Sequence, residues 1–146
     1  NCRGAGSLLT ISQLKEIIQL HSPDIIFLSE TKNNVRFLGN FFKKIGYDDL
    51  VVVNPVGLAG GLAVFWKKEQ KIENILFSEC TIELKFVDKE SGKSWCCVCI
   101  YNSTNDQKRK LQWDMLTKRK ETWGEYFVIL GDFNDLLSQD EKWGGR

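Results

Sequence analysis

The sequence has little of several things: among 146 residues there are one histidine, one methionine and two prolines, and no long apolar run. A membrane-spanning helix needs about 20 mostly apolar residues, so we predict neither a membrane segment nor a membrane partner. The lone His21 gives little support to Ser-His-Asp catalysis. Residues 1–4 contain no initiator methionine and no apolar leader. We therefore expect a fragment that is not secreted.

The sequence also has no marked excess of charge of either sign, because 20 basic and 19 acidic residues leave a net charge of +1. No overall field attracts nucleic acid or membrane, so an anionic partner must be held locally. Hydrophobic residues make up 42% and charged residues 27%, which is globular composition and excludes a disordered tail or a collagen-like repeat. Without repeats or linkers, residues 1–146 are predicted to form one domain.

The five cysteines are an odd number in irregular positions, two of them are adjacent and no signal peptide precedes them, which makes a disulfide framework a poor interpretation. They indicate a reducing compartment, so we expect an intracellular protein of the nucleus or cytoplasm. Cys97 and Cys99 could suggest zinc, but no second ligand pair follows and His21 is distant in sequence. The better interpretation is that these cysteines are small hydrophobes on a buried strand.

The apolar pattern predicts an α/β class with mixed sheets. Helices are predicted over 10–20, 34–45 and 105–120, and strands over 24–28, 50–53, 62–66, 72–77, 81–87, 94–101 and 126–130. The continuous apolar runs within 24–28 and 126–130 are typical of buried strands. Strand 81–87 alternates, so one of its faces should be wet, and a polar turn joins it to 94–101 as an antiparallel hairpin.

Three of these strands end in polar residues that have no use in packing. Glu30 follows the first strand, Tyr101 ends the sixth, and Asp132 with Asn134 follows the last. If the strands are neighbours that run the same way, the four side chains converge at one edge. Two carboxylates, a phenol and an amide suit a phosphate ester. Because carboxylates alone would repel that anion, the set implies a divalent cation, with Mg²⁺ favoured and Mn²⁺ an alternative.

Each residue of the set has a predicted role. Glu30 could hold the ion, and Asp132 could accept the proton of an attacking water. Asn134 and Tyr101 could donate to phosphate oxygens without adding negative charge. The alternative is purely structural, since an aspartate often caps the turn after a strand and a glutamate there is often solvated. On spacing alone the structural alternative is the better supported.

Other features favour a structural interpretation over a functional one. Three glycines lack the ending of a phosphate loop: Gly57, Gly60 and Gly61. Six basic residues scatter around the third helix: Lys108, Arg109, Lys110, Lys118, Arg119 and Lys120. Four tryptophans could stack on bases: Trp95, Trp113, Trp123 and Trp143. A turn that leads into a strand, a solvated helix and buried aromatics are the respective alternatives. Phosphate contact by the helix is the minority interpretation.

The ordered motifs resemble the endonuclease/exonuclease/phosphatase superfamily, which has the DNase I-like fold of the apurinic/apyrimidinic endonucleases. The motifs are residues 1–4 (Asn-Cys-Arg-Gly), 23–31 (Pro-Asp-Ile-Ile-Phe-Leu-Ser-Glu-Thr), 60–66 (Gly-Gly-Leu-Ala-Val-Phe-Trp), 100–101 (Ile-Tyr) and 131–134 (Gly-Asp-Phe-Asn). The variants at 1–4 and 29–32 and the tail 141–145 look most like endonuclease domains of plant non-LTR retrotransposons.

The resemblance implies a four-layer α/β sandwich that hydrolyses phosphodiesters with a divalent metal. Glu30 matches the metal-binding glutamate, and Asp132 the aspartate that activates or positions the nucleophile. Asn134 matches the amide that contacts phosphate, Tyr101 the phosphate-side tyrosine, and Asn1 the asparagine that helps to organise metal and phosphate. The implied substrate is DNA, which retrotransposon members nick to prime reverse transcription.

The sequence departs from the family pattern at both ends. The family has a strand before the position of Asn1 and ends in a Ser-Asp-His motif, and neither is found here. We therefore expect a partial sandwich, truncated at both ends, with one sheet largely absent and activity impaired. Two alternatives stay open: a non-catalytic remnant that binds nucleic acid or protein, and a phosphatase of small phosphoesters.

Overall fold

The computed structural model describes residues 1–57 and 60–136, and its elements agree closely with the predicted ones. The helices are α1 (Leu8–His21), α2 (Val35–Lys43) and α3 (Asp106–Arg119), the last followed by a short 3-10 turn. The strands are β1 (Ile25–Ser29), β2 (Asp49–Val53), β3 (Leu62–Trp66), β4 (Ile72–Phe77), β5 (Thr81–Val87), β6 (Ser94–Tyr101) and β7 (Phe127–Asp132). No helix in the described ranges is long and apolar enough to cross a bilayer.

Each helix begins where a polar side chain caps it. The side-chain oxygens of Ser7, Asn34 and Asn105 accept hydrogen bonds from backbone N–H groups three residues later. These bonds satisfy donors that the first helical turn leaves without partners. The cap at Ser7 explains why α1 starts two residues before the predicted position.

The strands form two sheets that pack face to face between helices. The first sheet has the order β1-β3-β2 and is antiparallel, and the second has the order β4-β5-β6-β7. The second sheet is mixed, because β5 and β6 form the predicted antiparallel hairpin whereas β6 and β7 run parallel. Helices α1 and α2 cover the outer face of the first sheet, and α3 covers that of the second. The architecture is the predicted four-layer α/β sandwich.

Strand β6 contributes side chains to two cores, one between the sheets and one under α3. Side chains alternate across a strand, so Cys97 and Cys99 point between the sheets while Cys96 and Val98 face α3. All three cysteines are buried, which confirms that they pack as small hydrophobes. Desolvation raises the pKa of the Cys96 thiol to about 11, so this thiol stays neutral in the core.

The prediction of a wet face on β5 is right at Lys85, which is exposed, and wrong at Glu83, which is buried against α3. Its two carboxylate oxygens accept bonds of 2.9 and 2.6 Å from the Arg119 guanidinium, and the Trp123 indole N–H donates a third bond of 2.9 Å. A buried carboxylate is tolerated only when it is paired in this way. The alternation is real, but α3 covers its polar face at Glu83 and leaves Lys85 exposed.

Two other expectations are corrected by the sheets. The expectation that one sheet is largely absent is wrong, since seven strands in the described ranges build both. The prediction that 126–130 is a buried strand is right about the strand and wrong about burial. Strand β7 lies at the end of its sheet's strand order, and Phe127, Val128 and Leu130 are each more than a third exposed.

Gly60 and Gly61 extend the pairing between β1 and β3 beyond the strands themselves. Their carbonyl oxygens accept from the N–H groups of Lys32 and Thr31, at 3.2 and 3.1 Å. Gly61 has a φ of +89°, and a Cβ there would lie 2.5 Å from the Oγ1 of buried Thr31. The glycine pair therefore leads directly into β3 and fixes the chain directly after Glu30. Residues 58 and 59 of the predicted turn lie outside the described residues.

We expect Arg119→Leu to lower the free energy of unfolding by about 2–4 kcal/mol, because it leaves the buried Glu83 carboxylate without its counter-ion. Urea denaturation measures the change. Lys118→Leu, an exposed lysine of the same helix, is the matched control and should change stability by no more than about 0.5 kcal/mol. Equal losses in both variants would contradict the role assigned to the pair.

We expect Gly61→Ala to destabilise the protein by about 1–3 kcal/mol more than Gly60→Ala, since only Gly61 lacks space for a methyl group. Both glycines have positive φ, but no atom of the described residues lies within 4 Å of a Cβ at Gly60. Gly60→Ala thus isolates the backbone cost shared by both variants. Thermal unfolding of the two variants checks the difference, and indistinguishable midpoints would refute the predicted steric clash with Thr31.

Candidate functional site

The polar residues at the strand ends meet in one hydrogen-bonded network. The Asn1 side-chain nitrogen donates to Glu30 Oε1 at 2.9 Å and to Asp132 Oδ2 at 3.3 Å, and the Tyr101 hydroxyl donates to Glu30 Oε1 at 2.5 Å. Strands β6 and β7 are the parallel neighbours that the sequence analysis required, whereas β1 belongs to the facing sheet. The network therefore joins the ends of both sheets.

Glu30 is held in the ionised state by its neighbours. The hydrogen bonds from Tyr101 and then from Asn1 lower the pKa of Glu30, and Lys32, whose ammonium lies 3.9 Å from Oε2, acts in the same direction. Glu30 has a φ of +53°, in the left-handed region that side chains rarely adopt. The chain thus turns sharply where β1 ends, and the carboxylate follows that turn into the network.

Tyr101 is constrained by the same contact. Desolvation first, and then the hydrogen bond to Glu30, raise the pKa of Tyr101 to about 12, so the phenol stays protonated at neutral pH. An ionised carboxylate only accepts hydrogen bonds, so the single hydroxyl hydrogen is used by Glu30. Tyr101 therefore orients Glu30 in this arrangement, and donation to a phosphate would require that hydrogen to leave Glu30.

Asp132 ends β7, and Asn134 lies in the tight turn that follows. Asp132 Oδ1 accepts from the Asn134 backbone N–H at 3.1 Å, and the Asn134 side-chain nitrogen donates to the Asn102 carbonyl at 2.7 Å. Asn134 keeps one amide hydrogen and its Oδ1 beyond these bonds. Position 131 requires a glycine, because a Cβ there would overlap the carbonyl of Ile100, its neighbour on β6.

One support of this turn was not predicted from the sequence. The indole N–H of Trp113 on α3 donates to Asp135 Oδ2 at 2.8 Å, and the Trp113 ring stacks on Phe133 at 5.6 Å between centroids. Arg109 lies 3.4 Å from the same carboxylate. These contacts hold residues 133–135 on both sides of Asn134. Trp113 and Arg109 were noted on this helix from the sequence, but their partner Asp135 is distant in sequence.

Two clefts flank the network. The first, which we call the Asp132 cleft, has a volume of about 470 Å³ and is lined by Asn1, Ser29, Asp132, Asn134 and Asp135 among others. The second, the Asn102 cleft, has a volume of about 590 Å³ and is lined by Tyr101, Asn102, Phe77 and Lys108 among others. Tyr101 lines only the second and Asp132 only the first, so the network separates the two spaces.

The residues present fit a divalent cation with few protein ligands. Glu30 and Asp132 both bond to the same amide nitrogen, which leaves two negative groups close together with one neutral donor between them. Hard carboxylate oxygens in this arrangement favour Mg²⁺ or Mn²⁺, and Mg²⁺ keeps several waters or substrate oxygens as ligands. No group of three or more His, Cys, Asp or Glu side chains that could hold a metal ion occurs in residues 1–57 and 60–136.

Asn1 has its nitrogen, and not its oxygen, towards the carboxylates. Its Oδ1 accepts from the Arg3 backbone N–H at 3.1 Å. In this arrangement Asn1 aligns Glu30 and Asp132 by donation. Its predicted part in metal binding would therefore be indirect, through the orientation of Glu30.

Several of the weaker signals have structural partners where the chain is described. On α3, Lys108 pairs with Glu79, Arg109 with Asp106 and Asp135, and Arg119 with Glu83. Trp95 stacks on Phe86, and Trp123 is buried. Trp143 and the tail 141–145 lie outside the described residues.

The fold is similar to three solved structures. An AP endonuclease from Archaeoglobus fulgidus matches at a TM-score of 0.72 and 19% identity, over 92% of this chain and 55% of that one. The 3′ phosphatase NExo from Neisseria, bound to a product DNA hairpin, matches at 0.70 and 16%, over 95% and 57%. The human Nocturnin catalytic domain matches at 0.67 and 18%, over 90% and 60%. At such identities the likeness shows the fold alone, and the chain spans less than two thirds of each structure.

No curated protein matches the chain significantly in sequence. The chain does match the family described as Endonuclease/Exonuclease/phosphatase, and the match extends over residues 1–145. This match agrees with the two-sheet sandwich and with the similar solved structures. The chain belongs to the Endonuclease/Exonuclease/phosphatase family, whose members are metal-dependent hydrolases of phosphodiester bonds.

Proposed function

We propose that this chain carries the active site of a divalent-metal-dependent hydrolase that cleaves phosphodiester bonds in DNA. The observation that carries the proposal is the pair of bonds from the Asn1 side-chain nitrogen to Glu30 and Asp132. A structural alternative, in which each carboxylate is merely solvated or caps a turn, gives no reason for two carboxylates from different sheets to share one donor.

Glu30 is the residue that would hold the cation, since its pKa is lowered and it contributes a carboxylate from the end of β1. A bound Mg²⁺ would supply Lewis-acid polarisation of a phosphoryl oxygen. Tyr101 and Asn1 fix the direction of the Glu30 carboxylate through Oε1. Lys32 lies on the side of Oε2 and adds positive charge near an incoming phosphate.

Asp132 would accept the proton of the attacking water. An ionised carboxylate has about four acceptor positions, and the bonds to Asn1 and to the Asn134 backbone occupy two of them. The remaining positions suffice for a water in the Asp132 cleft. The second amide hydrogen of Asn134 would donate to a non-bridging phosphate oxygen, where negative charge grows in the transition state.

DNA as the substrate is supported by two of the similar structures, an AP endonuclease and a 3′ phosphatase bound to DNA. The finer proposal, a nicking endonuclease of a plant retrotransposon type, rests on the sequence motifs at 1–4 and 29–32. An intracellular location, in the nucleus or cytoplasm, is supported by five free thiols.

A phosphatase is the second candidate, because the family description includes phosphatases and NExo is described as a 3′ phosphatase. Both reactions need the same cation and the same proton acceptor, so the network serves either one. Parallel assays on a nicked duplex with a 3′ phosphate and on supercoiled plasmid distinguish them. Release of inorganic phosphate without plasmid nicking would favour the phosphatase.

We expect Glu30→Gln and Asp132→Asn each to reduce Mg²⁺-dependent nicking of supercoiled plasmid by at least about 100-fold, since one removes charge at the cation and the other the proton acceptor. Gel quantification of nicked plasmid measures the rates. Glu73→Gln is the matched control, because Glu73 is an exposed carboxylate on β4 that pairs with Lys85. It should retain the unmodified rate.

Two outcomes would contradict the proposal. Unchanged nicking in both variants would show that the assigned residues do not act. Binding of DNA that is steeply salt-dependent, indifferent to chelator and without turnover would instead favour the non-catalytic alternative.

A further inference from the structure

Helix α3 contacts the two segments that follow β6 and β7. The loop after β6 begins at Asn102, and the turn after β7 begins at Phe133. Arg109 on α3 reaches both, because its guanidinium donates to the Ser103 carbonyl at 3.2 Å and lies 3.4 Å from the Asp135 carboxylate. Only 16% of the Arg109 side chain is exposed. One largely buried side chain of the helix therefore links the loop to the turn.

Gln112 and Trp113 add one anchor to each segment. They lie three and four positions after the arginine, and residues at this spacing share one face of a helix. The Gln112 side-chain oxygen accepts from the Ser103 backbone N–H at 2.8 Å. The Trp113 indole N–H donates to Asp135, and its ring is nearly parallel to that of Phe133, with 3° between the planes. One face of α3 thus holds the loop and the turn together.

Asn134 lies in the middle of this anchored turn. Its φ of +48° is in the left-handed region, which residues other than glycine adopt infrequently and keep when their surroundings hold them there. Its side-chain nitrogen donates to the Asn102 carbonyl across the gap to the loop. Its chain neighbours Phe133 and Asp135 are the two residues that Trp113 contacts. The direction of the Asn134 carboxamide therefore depends on the position of both segments.

We propose that Trp113 is a positioning residue, which holds the Asn134 carboxamide in place for hydrolysis by fixing the turn on both sides of it. Trp113 does not line the Asp132 cleft, so it acts through the turn and not on the substrate. The inference rests on the proposed function, in which Asn134 donates to a phosphate oxygen. A donor fixed in advance stabilises the transition state without moving during the reaction, and a displacement of about 1 Å can reduce a rate by about 100-fold.

Steady-state kinetics of Mg²⁺-dependent plasmid nicking separate positioning from binding. We expect Trp113→Leu, which removes both the N–H donor and the stacked ring, to lower kcat by at least about 10-fold and to change KM by no more than about 2-fold. Trp113→Phe keeps a ring against Phe133 and should lose less. Trp95→Phe is the matched control, because this half-buried tryptophan stacks on Phe86 at the start of β6. It should retain both constants.

A double-mutant cycle tests whether Trp113 acts through Asn134. In the Asn134→Ala variant the turn no longer carries a donor, so the addition of Trp113→Leu should lower kcat by no more than about 2-fold further. A further loss as large as in the unmodified chain would overturn the proposal, because the tryptophan would then act elsewhere. An unchanged kcat in Trp113→Leu alone would overturn it too.

Hydrogen exchange measured by NMR gives a readout that needs no turnover. Trp113→Leu should accelerate exchange of the Asn134 backbone N–H, which donates to Asp132, by at least about 10-fold. Val98, in the middle of β6, should keep its exchange rate. Equal acceleration at both positions, or none at Asn134, would contradict a local role. Asp135→Ala keeps the test valid if the leucine variant does not fold, because it removes the same bond at an exposed residue.

The two readouts distinguish this proposal from the proposed function. If the unmodified chain does not nick DNA in Mg²⁺, the hydrolase is refuted, and local acceleration of exchange still supports the fixing of the turn by Trp113. If the unmodified chain nicks DNA and Trp113→Leu nicks it equally fast, the hydrolase is supported and the role of Trp113 is refuted.

Discussion

The site depends on one constraint, which is that the carboxylates of Glu30 and Asp132, from different sheets, lie close together. Glu30 and Asp132 repel one another, and the Asn1 amide, the Tyr101 hydroxyl and the Lys32 ammonium are the groups that offset this repulsion. The arrangement requires a turn with positive φ at Glu30 and a glycine before Asp132 where β7 approaches β6. Much of the local backbone around the site is explained by this single constraint.

The fold was largely predictable because apolar runs in this chain stop abruptly at polar residues. Glu30, Tyr101 and Asp132 follow such runs, and their convergence required only that the strands end at one place. Burial was less predictable. Glu83 alternates with apolar neighbours as an exposed residue would, and its partner Arg119 is 36 positions away. The apolar run of β7 resembles a buried strand, although in the described chain β7 pairs only with β6.

The hydrogen bonds of the site could not be predicted from the sequence, because they join residues that are distant along the chain. Spacing identified Tyr101 and Asn134 as donors, but hydrogen bonds to Glu30 and to the Asn102 carbonyl decide which hydrogens remain available. The role of Asn1 was predicted only from the family resemblance, because no predicted strand end lies near it in the sequence.

The network divides the surface into a polar cleft with both an aspartate and an amide and a neutral cleft with an aromatic ring. The most direct test of the account is the anomalous scattering of Mn²⁺ in crystals of this chain. The account predicts a peak at bonding distance from the Glu30 carboxylate on the side of Asp132. Full Mn²⁺ occupancy elsewhere with none at Glu30 would contradict it.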